Sequence, residues 1–221
     1  MTQEIGETIE CPNLLSGVAL SRLVDSWDCN LGPDNIFSVA AVKLWMDIAR
    51  VVVEGFCFTW CKWLPSQCNI FMWRVVYDRI STKVALRRRN IHVVDEKCVF
   101  CDEDEETKNH IFSAYSFIVG VWQGISNWCG TPQIFVFSAR DIPELHKFFG
   151  GSSVKIKVFY GIAIITCWRI WKARNERVFS NRCLNVLEIV SGVKALGFLW
   201  YRNRFKVGSA DWAGLCKFDL M

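Results

Sequence analysis

The sequence predicts a mainly α protein, with a short β-hairpin near the N-terminus and one compact cysteine-bearing loop. Three observations carry that expectation. Apolar side chains recur at helical spacing through several long segments. Proline, which breaks helices, occurs only five times in 221 residues. Ser, Thr or Pro stands at the start of these segments, and Gly or Asn at the end of several. A hydrophobic fraction of 52% against 22% charged residues supplies enough apolar surface to bury a core, which excludes an intrinsically disordered chain.

The elements follow in order. Residues 25–38 (DSWDCNLGPDNIFS) read as two short strands around a Gly-Pro-Asp-Asn turn, with Trp27 and Phe37 placed to face one another. Ser38 caps a helix in which Val39, Val42, Trp45, Met46 and Ala49 share one face, and Gly55 breaks it. Pro65 and Ser66 open a second helix with Ile70, Phe71, Trp73 and Tyr77 on a broad apolar face. Ser81 and Thr82 start a shorter one that ends near Asn90. A loop over 93–106 carries Cys98 and Cys101. Helices are expected over 108–112 and 117–128, stopped by Gly130 and Pro132. A short helix opens at Asp141 and Pro143 and ends at Gly150 and Gly151. Ser152 or Ser153 caps a long helix to about Val178, and a last helix runs from about Leu184 to Arg204.

Cysteine and tryptophan each occur 11 times. The first ten residues (MTQEIGETIE) are polar and acidic, unlike a secretory leader, so the thiols are expected to be reduced and buried as small hydrophobes. The longest apolar run, residues 158–168 (VFYGIAIITCW), falls well short of the roughly 20 residues a membrane span needs and reads as a buried helix. An intracellular protein of the nucleus or cytoplasm is expected, not secreted and with no membrane partner.

The formal net charge of +4 conceals blocks of opposite sign. Residues 61–92 carry seven basic side chains (Lys62, Arg74, Arg79, Lys83, Arg87, Arg88 and Arg89) against Asp78 alone. Residues 93–110 carry seven acidic against two basic, and residues 155–206 carry 11 basic against Glu176 and Glu188. Two basic blocks interleaved with Trp and Tyr suit a polyanion, RNA or DNA, although a solvated helix face gives the same pattern. In that reading Arg74, Arg79, Lys83, Arg87, Arg88, Arg89, Arg169, Lys172, Arg174 and Arg177 face phosphates, while Trp45, Trp73, Trp122 and Trp171 lie in apolar helical patterns and read as core.

One cluster has metal-ligand spacing: Cys98 and Cys101, three apart in the loop, with His110 nine residues on. Two thiolates on one turn can reach the same ion, and a histidine from the following segment can join them, as in structural zinc sites. A tight turn with two packed thiols fits the same residues. His92 and His146 have no partner at ligand spacing, and the acidic run 102–106 lacks the alternating spacing of a calcium loop. Gly-rich phosphate loops and a G-x-S-x-G elbow are missing, as is any Asp-Asp pair, so no catalytic residues and no small-molecule substrate are expected.

Ordered landmarks from residue 25 to about 215 resemble the C-terminal zinc-binding region of plant LINE-type (non-LTR) retrotransposon reverse transcriptases. Asp25, Ser26 and Trp27 with residues 36–39 (IFSV) resemble its lead-in, and residues 60–65 (WCKWLP) with 69–74 (NIFMWR) its W-x-P…F-x-W-R core. Residues 78–82 (DRIST) and 89–91 (RNI) follow. Cys98, Cys101, Glu106 and His110 match its C-x2-C…E-x3-H pattern, and Val121-Trp122 its VW. Residues 168–179 (WRIWKARNERVF) are similar to its distal motif, and 198–200 (FLW) with Asn203 and Arg204 to its last helix. The family pattern continues H-x4-C, but the matching position here is Tyr115. A phenol keeps its proton near neutral pH, with an ordinary pKa of about 10, and is a poor zinc ligand; Cys129, Asp102 or a water are alternatives.

The resemblance implies three segments: a lead-in over 1–37, a reverse-transcriptase zinc-binding-like domain with a zinc-knuckle-like loop over 38–130, and a helical extension over 131–221. It implies a non-catalytic nucleic-acid-binding accessory domain, a fragment or relic with a degenerate zinc site at Cys98, Cys101 and His110. The implied partners are RNA or DNA and a parent polymerase domain, the polymerase and endonuclease residues being absent from this chain. A helical protein-interaction or structural module without nucleic-acid binding is the alternative.

Overall fold

The computed structural model describes residues 58–204 together with Ser38, Gly214 and Phe218. The expected hairpin and the helix after Ser38 lie outside the described residues. Contacts divide the chain into two units, Met1–Cys57 and Phe58–Met221, and the described helices of Ser66–Arg204 lie in the second. Its described part is mainly helical and holds no strand, only an isolated antiparallel bridge between Lys97 and Glu105.

Helix α1 (Ser66–Val76) starts behind Pro65, whose φ of −57° suits a helix entry. Phe71, Met72, Val75 and Val76 are buried on its inner face, and Arg74 in its last turn is exposed. The buried Asn69 side chain closes the preceding turn, accepting from the Cys61 amide at 2.8 Å and donating to the Cys61 carbonyl at 3.1 Å. Helix α2 (Lys83–Arg87) is capped by Thr82, whose Oγ1 accepts from the Ala85 amide at 3.2 Å. It ends before the expected Asn90. Asn90 takes a left-handed φ of 57°, and the Ile91 amide donates back to the Leu86 carbonyl, closing the terminus.

A π-helical turn (His110–Ala114) stands where a short helix was expected, and α3 (Ser116–Cys129) follows it directly. Gly130, at φ 64°, ends α3 in the left-handed conformation that a residue without Cβ adopts at no steric cost. A 3₁₀ segment (Ile142–Phe148) leads to α4 (Ser153–Ser180), whose Ser152 cap accepts from the Lys155 amide at 3.3 Å. Helix α5 (Val186–Arg204) begins with a reciprocal pair: the Asn185 amide donates to Glu188 Oε2 at 2.8 Å, and the Glu188 amide to Asn185 Oδ1 at 2.9 Å.

Helix α4 is the centre of the unit. It packs on α1, the π-helical turn, the 3₁₀ segment and α5, while α5 also packs on α3. Every residue from Val158 to Cys167 is buried, and full burial of each aliphatic side chain contributes about 1.5–3 kcal/mol. Both hydroxyls in this run are partnered, Thr166 donating to the Ile162 carbonyl at 2.8 Å and Tyr160 to the Thr59 carbonyl. Gly161 sits under the Trp63 indole so closely that an added Cβ would overlap the ring, and Trp63 Nε1 donates to the Lys157 carbonyl at 3.3 Å. Among the described residues no helix is long and apolar enough to cross a membrane.

The described cysteines are all free thiols. Burial pushes the Cys61 and Cys68 thiols up to about 12 and raises those of Cys129 and Cys167 further, so these four stay protonated and act as packing groups.

Candidate metal centre and basic surface

The loop over 93–110 is shaped by short polar bonds. The Cys98 amide donates to the Asp104 carbonyl at 2.7 Å, the Asp102 amide to the Cys98 carbonyl at 2.8 Å, and the Glu106 amide to the Glu96 carbonyl at 2.7 Å. Asp102 accepts a left-handed φ of 57° at the tip. This fold-back puts Cys98 and Cys101 on one side of the turn, and the Phe100 amide donates to Cys98 Sγ at 3.4 Å. The Thr107 hydroxyl accepts from the His110 amide at 3.1 Å, starting the π-helical turn that carries the imidazole back to the loop.

The ligand atoms of Cys98, Cys101 and His110 all lie within 4.8 Å of one another, and Cys101 Sγ is 3.3 Å from His110 Nε2. Zinc bonds of about 2.3 Å to sulfur and 2.0–2.1 Å to nitrogen in a tetrahedron set ligand edges of roughly 3.8 Å (S to S) and 3.5 Å (S to N), so the three donors need only small movements to hold one ion. The other ring nitrogen, Nδ1, lies 3.7 Å from the exposed Asp104 Oδ2, beyond direct hydrogen-bond reach, with Nε2 toward Cys101. Cys98 is fully buried, which pushes its thiol up to about 11 in the metal-free chain. When bound, zinc would supply a crosslink between the loop and the π-helical turn, with Cys98, Cys101 and His110 holding it.

The alternatives for a fourth donor take other places. The Tyr115 hydroxyl donates to the Phe100 carbonyl at 3.4 Å, and its ring stacks on His110 with centroids 6.1 Å apart. Asp102 is exposed and faces Arg177 at 3.8 Å. Cys129 is buried at the end of α3. His92 is exposed, and His146 contacts the Pro143 carbonyl and the Tyr160 ring.

Glu106, the last acid of the loop, is fully buried and anchors it. Its carboxylate receives Arg174 Nη2 at 2.5 Å and Nε at 3.1 Å, and the Lys83 amide at 2.9 Å. One side chain thus ties the loop to α4 and to the start of α2 through charge-assisted bonds. Arg174, expected to face phosphates, is only 5% exposed and is committed to this pair, with Trp171 under its guanidinium at 5.0 Å.

The remaining basic residues divide. Arg74, Arg79, Arg87, Arg88 and Arg89 are exposed around α1 and α2. Arg79 lies over the Trp73 ring at 5.2 Å, Arg87 pairs with Glu96, Arg88 with Asp78 at 3.3 Å, and Lys83 with Asp95 at 2.7 Å. On α4, Lys172 is exposed beside Trp168, whereas the Arg169 guanidinium packs against Gly192 of α5 and its Nε is buried. Of the expected core tryptophans, Trp122 is buried with Nε1 donating to the Phe112 carbonyl at 2.9 Å, and Trp73 and Trp171 are half-buried; Trp45 lies outside the described residues.

Together these features define a helical domain with a two-cysteine, one-histidine centre able to hold a metal ion. Residues 37–122 match the protein family described as zinc-binding in reverse transcriptase. The likeness supports a reverse-transcriptase-associated zinc domain. The family implies zinc as the cofactor, and the three-donor cluster is consistent with a degenerate form of the site. No curated protein and no solved structure matches the chain.

Proposed function

We propose that the protein is a non-catalytic, zinc-stabilised nucleic-acid-binding accessory domain of a retrotransposon reverse transcriptase, the plant LINE-type C-terminal region that its motifs resemble. It acts inside the cell, on RNA or DNA, beside a parent polymerase domain, and its site is that of a degenerate relic or fragment. The observation that carries the reading is the Cys98, Cys101 and His110 cluster inside the matched stretch, with exposed arginines of α1, α2 and the following turn alongside it in sequence. Arg74, Arg79, Arg87, Arg88, Arg89 and Lys172 are the residues offered to phosphates. The Arg88–Asp78 pair is exposed and contributes little to stability, so a phosphate can replace that carboxylate at small cost.

The test is RNA binding by the full chain across a salt series. The logarithm of affinity should fall linearly with the logarithm of salt, by roughly 0.7 per phosphate contacted on a single strand. Reversing Arg87, Arg88 and Arg89 to Glu should remove most of the binding; affinity indifferent to salt removes the phosphate-contact reading.

A second reading, a protein-interaction module, is favoured by Phe135, Phe137 and Phe148, which are 60%, 84% and 84% exposed. It predicts that replacing these three by Ser alters association with a protein partner and leaves RNA affinity unchanged.

A further inference from the structure

A cleft of about 140 Å³ opens between the cysteine-bearing loop, the start of α3 and the end of α4. Its wall is aromatic: the Phe100 and Phe117 rings lie 5.5 Å apart at 31°, and Tyr115 continues the series 6.4 Å from Phe117 at 32°. Arg177, Arg182 and Cys183 also line it. The guanidiniums keep only weak partners: Arg177 donates to Cys183 Sγ at 3.4 Å and is 3.8 Å from Asp102, and Arg182 is 3.6 Å from Glu176. Aromatic rings tilted by about 30° to one another beside two cations match a ligand that is planar at one end and anionic at the other. Aromatic faces take bases of any sequence, and arginine forks take phosphate through two parallel bonds.

We propose that this cleft takes one unpaired nucleotide of a single strand, its base against Phe100 and Phe117 and its phosphate between Arg177 and Arg182. The inference rests on the nucleic-acid reading above and adds a position and a strand preference to it. Bases within a duplex are stacked and paired, so their faces are not available to protein rings, whereas an unpaired base can turn out of the strand. The Tyr115 ring completes the aromatic series, and its hydroxyl, held by the Phe100 carbonyl, fixes the ring that bridges the His110 imidazole and Phe117.

The experiment compares binding of a short single-stranded RNA and the matching duplex to the full chain and to the Phe117→Leu and Arg182→Ser variants. Each variant should weaken single-strand affinity by about tenfold, the loss expected for one stacked base or one phosphate contact, and leave duplex affinity unchanged. Arg182 is exposed, so its variant decides the matter even if Phe117→Leu disturbs folding. Cys183 provides a second readout, because it is an exposed thiol lining the cleft. Its alkylation, followed by mass spectrometry, should slow with saturating single strand and not with duplex. If both variants bind single strand like the unaltered chain and Cys183 reacts at the same rate, while the Arg87, Arg88 and Arg89 reversal abolishes binding, the cleft is not the nucleotide site and the broader reading stands. If the unaltered chain binds neither RNA, both fall.

Discussion

Helix α4 and the loop over 93–110 are neighbours held in place by opposite means. From Val158 to Cys167 the helix is buried on every side, so its position follows from apolar burial and from close fits such as Trp63 on Gly161. The loop exposes Val94 and the acids from Asp102 to Glu105, and its fold-back rests on a handful of amide bonds, the clustered Cys98, Cys101 and His110 and the buried Glu106. Core side chains are numerous and individually replaceable, whereas the loop hangs on a few polar anchors, Glu106 with its Arg174 and Lys83 partners foremost. The two regions should therefore fail differently, α4 gradually with lost volume and the loop abruptly with one lost contact.

The largest effect is expected where the two meet. Glu106→Ala strands the buried Arg174 guanidinium and the Lys83 amide, and should cost about 3–5 kcal/mol in urea unfolding followed by far-UV circular dichroism. The double change Glu106→Met with Arg174→Met removes both charges and should recover most of that loss. A loss from Glu106→Ala of under about 1 kcal/mol contradicts the anchoring role. Next comes the core: Gly161→Ala forces Trp63 aside and should cost about 1–3 kcal/mol, with a change in indole fluorescence. Thr82→Ala removes the cap of α2 and should cost about 1 kcal/mol, leaving α4 untouched.

What the sequence made legible follows the same division. Helices α1, α3, α4 and α5 were readable because periodicity and caps are local signals, and the cysteine–histidine cluster because its ligands fall within 13 residues of chain. Asn90 marked the stop, but the end of α2 at Arg87 was not readable, since Arg88 and Arg89 favour helix as much as the residues before them. The expected helix over 108–112 became a π-helical turn that begins at His110, the residue that has to reach Cys101. Arg174 sits in a basic run that reads as a solvated face; its burial depends on Glu106, 68 positions away, and no local spacing reports such a pairing. The aromatic cleft is equally non-local, assembled from Phe100, Phe117 and Arg182 on separate segments.

Chelation is expected to have the smallest effect on helical signal and to separate the two regions most cleanly. In the metal-free chain the Cys98 thiol is pushed up by burial to about 11, so zinc uptake has to displace protons, and affinity should climb as pH rises toward that value. Removing zinc should leave the far-UV spectrum nearly unchanged, because the helices bury their own apolar faces. Amide exchange should quicken across 93–110, where the Cys98 and Asp102 amides lose the crosslink that steadies their bonds, and stay slow across the buried run of α4. Cys98→Ser should reproduce that pattern in the presence of zinc. Glu106 remains paired with Arg174 in both cases, which bounds the opening at the loop's last residue and keeps α2 capped against it. If α4 amides instead exchange as fast as those of the loop after chelation, metal and core form one cooperative unit, and the contrast between a self-sufficient helix and a metal-dependent loop is wrong.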